Sequence, residues 1–121
     1  EGNDMPLLIE SHRFLTETLA NKINQMVFGF DGSPATSDDG GAGRPAVIVT
    51  PSVKVLDEHT ISVEGKIGTS VTFENPLQEV VLQYTNPSDS TDTLPIFRYT
   101  IQPVTKTSGN ELKFSIIVEV K

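Results

Sequence analysis

The chain reads as a mainly β protein, an antiparallel β-sandwich of about seven to eight strands with one N-terminal amphipathic helix. Three observations predict this. From Ala46 onward apolar and polar residues alternate with a period of two, as strands do when one side is buried and the other is wet. Turn residues such as Asn75-Pro76 and Ser108-Gly109-Asn110 punctuate these runs at fairly regular spacing, the rhythm of a sandwich or small barrel. Only one segment, near the start, repeats its apolar residues at helical spacing.

That segment runs from Ile9 to Met26. Phe14, Leu15, Leu19, Ile23 and Met26 form an apolar stripe, with Arg13, Glu17, Asn21, Lys22 and Asn24 towards solvent. Ser11 is placed to cap the first turn, its hydroxyl accepting a bond from an amide that has no helical partner. Residues 1–10 form a flexible N-terminal segment and 11–121 a single domain. Met5 reads as a native start, with Glu1 to Asp4 as a cloning remnant. MVFGFDG then supplies a short strand ending at Asp31-Gly32. Residues 32–45, dense in Gly, Pro, Ser and Asp, form a long exposed loop of the kind that is mobile or functional.

AVIVT and SVKVLD follow, separated by Pro51, which cannot donate to a sheet ladder and marks a bend or an edge. TISVEGKIG sets Ile61, Val63 and Ile67 on one face against Ser62, Glu64 and Lys66 on the other. SVTF, LQEVVLQYT, TLPIFRYTIQPV and ELKFSIIVEV complete the strands. In the last two, Phe97, Tyr99 and Ile101 face a core, as do Leu112, Phe114, Ile116, Val118 and Val120, and TKTSGN joins them as an antiparallel hairpin. Ile117 interrupts the polar face, suited to rest under the helix or against another chain. A closing strand this apolar is either a central core strand or an edge offered for assembly.

Composition narrows the chemistry. The 121 residues carry a net charge of −7, which disfavours phosphate-binding surfaces and so nucleic acid. There is no cysteine, hence no disulfide, thiolate metal site or thiol nucleophile. No run of apolar residues is long enough for a membrane-spanning helix. His12 and His59 are the only histidines and sit far apart in sequence as two solvent residues. Asp38-Asp39 and Asp57-Glu58 lack the geometry of an acid–base pair. Asp31, Asp38 and Asp39 could approach a calcium ion, but the loop lacks EF-hand spacing. Gly41, Gly43 and Ala46 match a dinucleotide fingerprint whose required helix is replaced by Pro45 and a β-rich run. Tyr84, Phe97 and Tyr99 belong in a core more naturally than on a sugar-binding platform. No catalytic, cofactor or metal-ligating residue is therefore assigned, and no enzymatic activity is expected.

Three segments carry a family resemblance: Leu19 to Gly32, with an I/V-x-x-G-x-D-like strand ending; Gln78 to Thr85; and Ile96 to Val120, an aromatic-basic strand leading through QPVTKT into a strongly β strand. In this order they resemble small structural proteins of tailed bacteriophages, of the tail-fibre, collar and baseplate group. Val81 stands where that pattern has glycine. The resemblance implies a compact attachment or decoration domain located in the virion, without cofactors. Its partners would be other copies of itself, in rings or trimers, or other virion proteins, with no nucleic acid and no membrane insertion. The contact residues expected are Phe114, Ile116, Ile117, Val118 and Val120 on the terminal strand and Arg44 in the long loop. The alternative is a carbohydrate-binding or adhesin-like sandwich using exposed rings and loop carboxylates, assisted by calcium.

Overall fold

The computed structural model describes residues 9–35 and 40–120. One helix, α1 (Ile9–Lys22), precedes seven strands: β1 (Gln25–Gly29), β2 (Pro45–Val49), β3 (Ser52–Asp57), β4 (Thr60–Ile67), β5 (Leu77–Asn86), β6 (Asp89–Val104) and β7 (Leu112–Glu119). They form two antiparallel sheets, a four-stranded one in the order β2-β1-β5-β6 and a three-stranded one in the order β3-β4-β7. The β-sandwich architecture is as the alternation predicts. Met26 and Phe28 of β1, Val80 and Leu82 of β5, and Ile61 and Val63 of β4 are all fully buried between the sheets. Phe28 meets Phe114 of β7 edge to face across this core, with ring centroids 6.0 Å apart.

The helix differs from its expected form in length and in orientation. It ends at Lys22, although Met26 continues the periodicity, because Asn24 takes the place of a β-ladder partner. Its amide donates to the Gln83 carbonyl at 3.1 Å, its side-chain Nδ2 donates to the Thr85 carbonyl at 2.8 Å, and its Oδ1 accepts the Thr85 N–H at 2.9 Å. Asn24, expected in solvent, thus starts β1. The inward stripe comprises the buried Thr16 and Ile23 with the half-buried Leu19 and Ala20, while Phe14 and Leu15 stay exposed. Thr16 explains the rotation: its hydroxyl donates to the Glu58 carbonyl in the β3–β4 turn at 2.7 Å, which turns that side of the helix inward. Ser11 lies inside the helix and is not its cap.

Two further expectations are corrected. Ser70–Phe73 is not a strand; Phe73 packs on Phe30 with centroids 5.7 Å apart and its N–H donates to the Lys106 carbonyl. The segments β6 and β7 are not a hairpin either. β6 pairs with β5, and β7 pairs with β4, so TKTSGN crosses from one sheet to the other, turning at Gly109 with a positive φ of 88°. Two strands with one apolar side each can bury it side by side or face to face, and a period of two is common to both arrangements. Pro51 lies in the short link where the chain passes from β2 in the first sheet to β3 in the second.

Candidate functional site

β7 is an edge strand. Its residues pair with β4 from Thr60↔Glu119 to Ile67↔Leu112, and among the described residues no strand lies along its other side. The Val120 N–H donates to the His59 carbonyl at 2.7 Å. Because backbone groups in an antiparallel pair alternate in direction, this bond fixes the phase. Residues 112, 114, 116 and 118 direct their amides and carbonyls to β4, and Lys113, Ser115, Ile117 and Glu119 direct theirs outward. The side chains divide in the same rhythm: Ile116 and Val118 are buried, Phe114 and Leu112 half-buried, and Ile117 is 60% exposed on the outer face. Ile117 therefore does not rest under the helix. Of the expected contact residues on this strand, Ile116 and Val118 belong to the core and Phe114 is half-buried against Phe28, while Ile117 is exposed beside the outward backbone groups.

Val120 takes part in a second feature, an apolar groove of about 370 Å³ lined by Leu15, Leu19 and Lys22 of α1, Leu94 and Ile96 of β6, and Val120. The Lys22 ammonium lies 5.1 Å from the Tyr84 ring centroid, and Tyr99 is half-buried and stacked with Phe97 at 6.2 Å. Burial raises the Tyr99 pKa. These rings are absorbed in packing and do not form an open platform.

The opposite pattern occurs on the outer face of the four-stranded sheet. Val27 and Val81 point away from the sandwich core yet are 4% and 0% exposed, with Gly41 and Ala42 of the long loop beside Val27. Glu79, fully buried, holds both ends of that loop. Its carboxylate accepts the N–H groups of Asp31, Gly43 and Arg44, each at 2.9 Å, and the Arg98 Nε–H at 3.0 Å. Arg98 in turn donates to the Ser33 and Asp31 carbonyls at 3.1 and 3.0 Å. Burial pushes the Glu79 pKa up, but the donors from Arg44, Asp31, Gly43 and Arg98 outweigh it and the net shift is downward. Gly29 makes room: a Cβ there would sit 2.7 Å from the Arg44 carbonyl oxygen and against the Glu79 carboxylate. Arg44 itself is exposed, its guanidinium 5.8 Å from the Phe30 ring centroid.

No known protein family, curated protein or solved structure matches this chain.

The remaining sequence candidates find simple places. His12 and His59 do meet, with ring centroids 5.4 Å apart in an edge-to-face contact, because α1 docks on the β3–β4 turn. Among the described residues no group of three or more His, Cys, Asp or Glu is placed to hold a metal. Asp31 accepts the Ser33 N–H and hydroxyl, which lower its pKa, with Arg98 and Arg44 acting in the same direction. Asp38 and Asp39 lie outside the described residues. Asp57 accepts the His59 N–H at 2.9 Å within the turn. Gly41, Gly43 and Ala46 lead into β2, a strand.

Sequence reasoning overlooked Glu79, Arg98 and Lys106. Lys106, 1% exposed, donates from Nζ to the Val71 and Thr107 carbonyls at 2.6 and 2.7 Å, with no carboxylate partner among the described residues. A signal for the first two existed: Glu79 and Arg98 are isolated opposite charges inside two apolar runs. The Lys106 signal was hidden in a segment that reads as a polar turn.

Proposed function

We propose that this chain is a non-enzymatic structural module that works through protein–protein contact, with the open edge of β7 as its principal contact element. The observation that carries this reading is the outward row of backbone donors and acceptors at residues 113, 115, 117 and 119, with a 60% exposed isoleucine among them. An edge strand of eight residues without proline or bulge is a template for another strand, and proteins that stay monomeric usually blunt such edges. The groove that ends at Val120 adds apolar surface beside it, whose burial contributes ~25 cal/mol per Å² before the cost of association is subtracted. The virion setting, as an attachment, baseplate or decoration component, is supported by the resemblance of Leu19–Gly32, Gln78–Thr85 and Ile96–Val120 to tailed-phage structural proteins.

Size-exclusion chromatography with light scattering, alone and with the purified products of neighbouring genes, tests the reading. Self-association or a defined complex is expected. A strict monomer at high micromolar concentration, inert towards those products, contradicts it.

A further inference from the structure

We infer that β7 is a twofold seam through which two copies of this chain pair antiparallel about Ile116, joining their three-stranded sheets into one six-stranded sheet. This deepens the contact reading above and rests on it. The phase set by the Val120–His59 bond means that only odd-numbered residues of β7 present backbone groups outward, so a partner β7 must match odd residues to odd residues. Centring the twofold on Ile116 pairs Ser115 with Ile117 of the second copy and Lys113 with Glu119. Every outward amide and carbonyl of the four residues then finds a partner, and two Lys–Glu pairs form symmetrically.

Charge selects this register from its neighbours. Centred on Ser115, the seam sets Glu119 opposite Glu111. Centred on Ile117, it leaves Lys113 beyond the partner's last strand residue. Directly opposed unlike charges stabilise a cross-strand pair and like charges oppose it. Within one chain Lys113 is only 4.0 Å from Glu64, both on the exposed side, so its ammonium is within reach of either carboxylate. The same register also accounts for Ile117. Beside Ser62, Glu64 and Lys66 of β4 and Lys113, Ser115 and Glu119 of β7 it is an exposed apolar side chain among polar ones, and the seam makes the two copies of Ile117 diagonal neighbours. On the inner side Phe114 falls opposite Val118, and Ile116 opposite Ile116, so the two apolar layers run together without a polar break. Isologous pairing of this kind closes on itself and does not propagate into a fibre.

Sedimentation velocity from ~1 to ~500 μM, a range that brackets weak and firm dimers, tests the seam on five forms of the full chain. The wild type is expected to dimerise. Ser115→Pro removes one outward N–H per copy and none directed at β4, and is expected to weaken the dimer at least about tenfold. Lys113→Glu and Glu119→Lys each turn two attractive pairs into two repulsive ones, an effect on the order of thirtyfold. The double swap is expected to return to within about threefold of wild type. Circular dichroism and melting check that each variant folds, and the charge series decides the matter even if the proline variant does not. A wild type that is monomeric throughout overturns the seam. So does a dimer indifferent to the proline variant and to all three charge variants, or single swaps that the double swap fails to rescue. A complex with a different protein in any of these cases would leave the broader contact reading standing.

Discussion

The two sheets treat their outer faces in opposite ways. On the four-stranded sheet, Val27 and Val81 are sealed although they face away from the core, because Glu79 and Arg98 fasten the loop stems over that side. On the three-stranded sheet the outer face is open, with Ile117 exposed among Ser62, Glu64, Lys113 and Ser115, and among the described residues no strand pairs with the outer edge of β7. The difference teaches where each polar group acts. The Glu79 and Arg98 side chains on the first sheet are buried and close the molecule; Lys113 and Glu119 on the second are exposed. Substitutions on the first should therefore change stability and leave association alone, and substitutions on the β7 edge should do the reverse.

The largest expected effect is at Glu79. Glu79→Gln removes the carboxylate charge that accepts the Nε–H of Arg98, whose side chain is 6% exposed, and leaves the partly exposed Asp31, 3.8 Å away, as a weaker counter-charge; breaking a buried pair costs ~3–5 kcal/mol. Urea denaturation should register that loss while the oligomeric state of the folded fraction is unchanged. Equal loss of association would mean that the two faces are not independent.

Lys106→Met comes next. It keeps most of the apolar stem but removes the donor to the Val71 carbonyl and leaves the Thr107 carbonyl only the Asn110 N–H at 3.4 Å, a cost of ~1–3 kcal/mol. The loss is smaller than at Glu79 because removing an ammonium that, among the described residues, is held by carbonyls also removes its burial penalty. A thermal or urea midpoint lowered more by Lys106→Met than by Glu79→Gln would reverse this order.

The pH dependence sharpens the same contrast. The folded Glu79 pKa lies below its ordinary value of 4.5, so its contribution is complete above that value and is lost as the pH falls through the folded pKa. Asp31, Asp57 and Asp89 are shifted in the same direction by their turn hydrogen bonds. Acid unfolding monitored by circular dichroism should begin below about pH 4.5 and should be shallower in Glu79→Gln. An identical acid limb in the two proteins would remove Glu79 from this role.

The smallest effect on stability is expected at the exposed edge. Ile117→Ser should change the unfolding free energy by no more than ~0.5 kcal/mol, since the side chain is 60% exposed, while weakening association measurably. A large loss of stability in dilute solution would show that Ile117 supports the monomer itself.

Much of the sandwich was legible in the sequence because burial imposes its period directly: Ile61, Val63 and Ile67 alternate as they pack. Sheet membership was not, because Phe97 and Phe114 would alternate identically in a hairpin or in opposed sheets. The helix rotation depended on a single long-range bond, Thr16 to the Glu58 carbonyl, which leaves no local trace. At the candidate site the apolar terminal strand and the exceptional Ile117 were readable, but the edge position was not, since it depends on which strand fails to pair. The loop pin required recognising that Glu79 and Arg98, 19 positions apart, would lie side by side on adjacent strands.

Backbone amide exchange along β7, followed residue by residue in dilute and in concentrated solution, tests the central claim most directly. The amides of 114, 116 and 118 should be protected at both concentrations, while those of Lys113, Ser115, Ile117 and Glu119 should exchange rapidly when dilute and slow markedly on concentration. Equal protection of all seven in dilute solution, or fast exchange of the four outward amides at every concentration, would contradict an edge built for contact with a second copy.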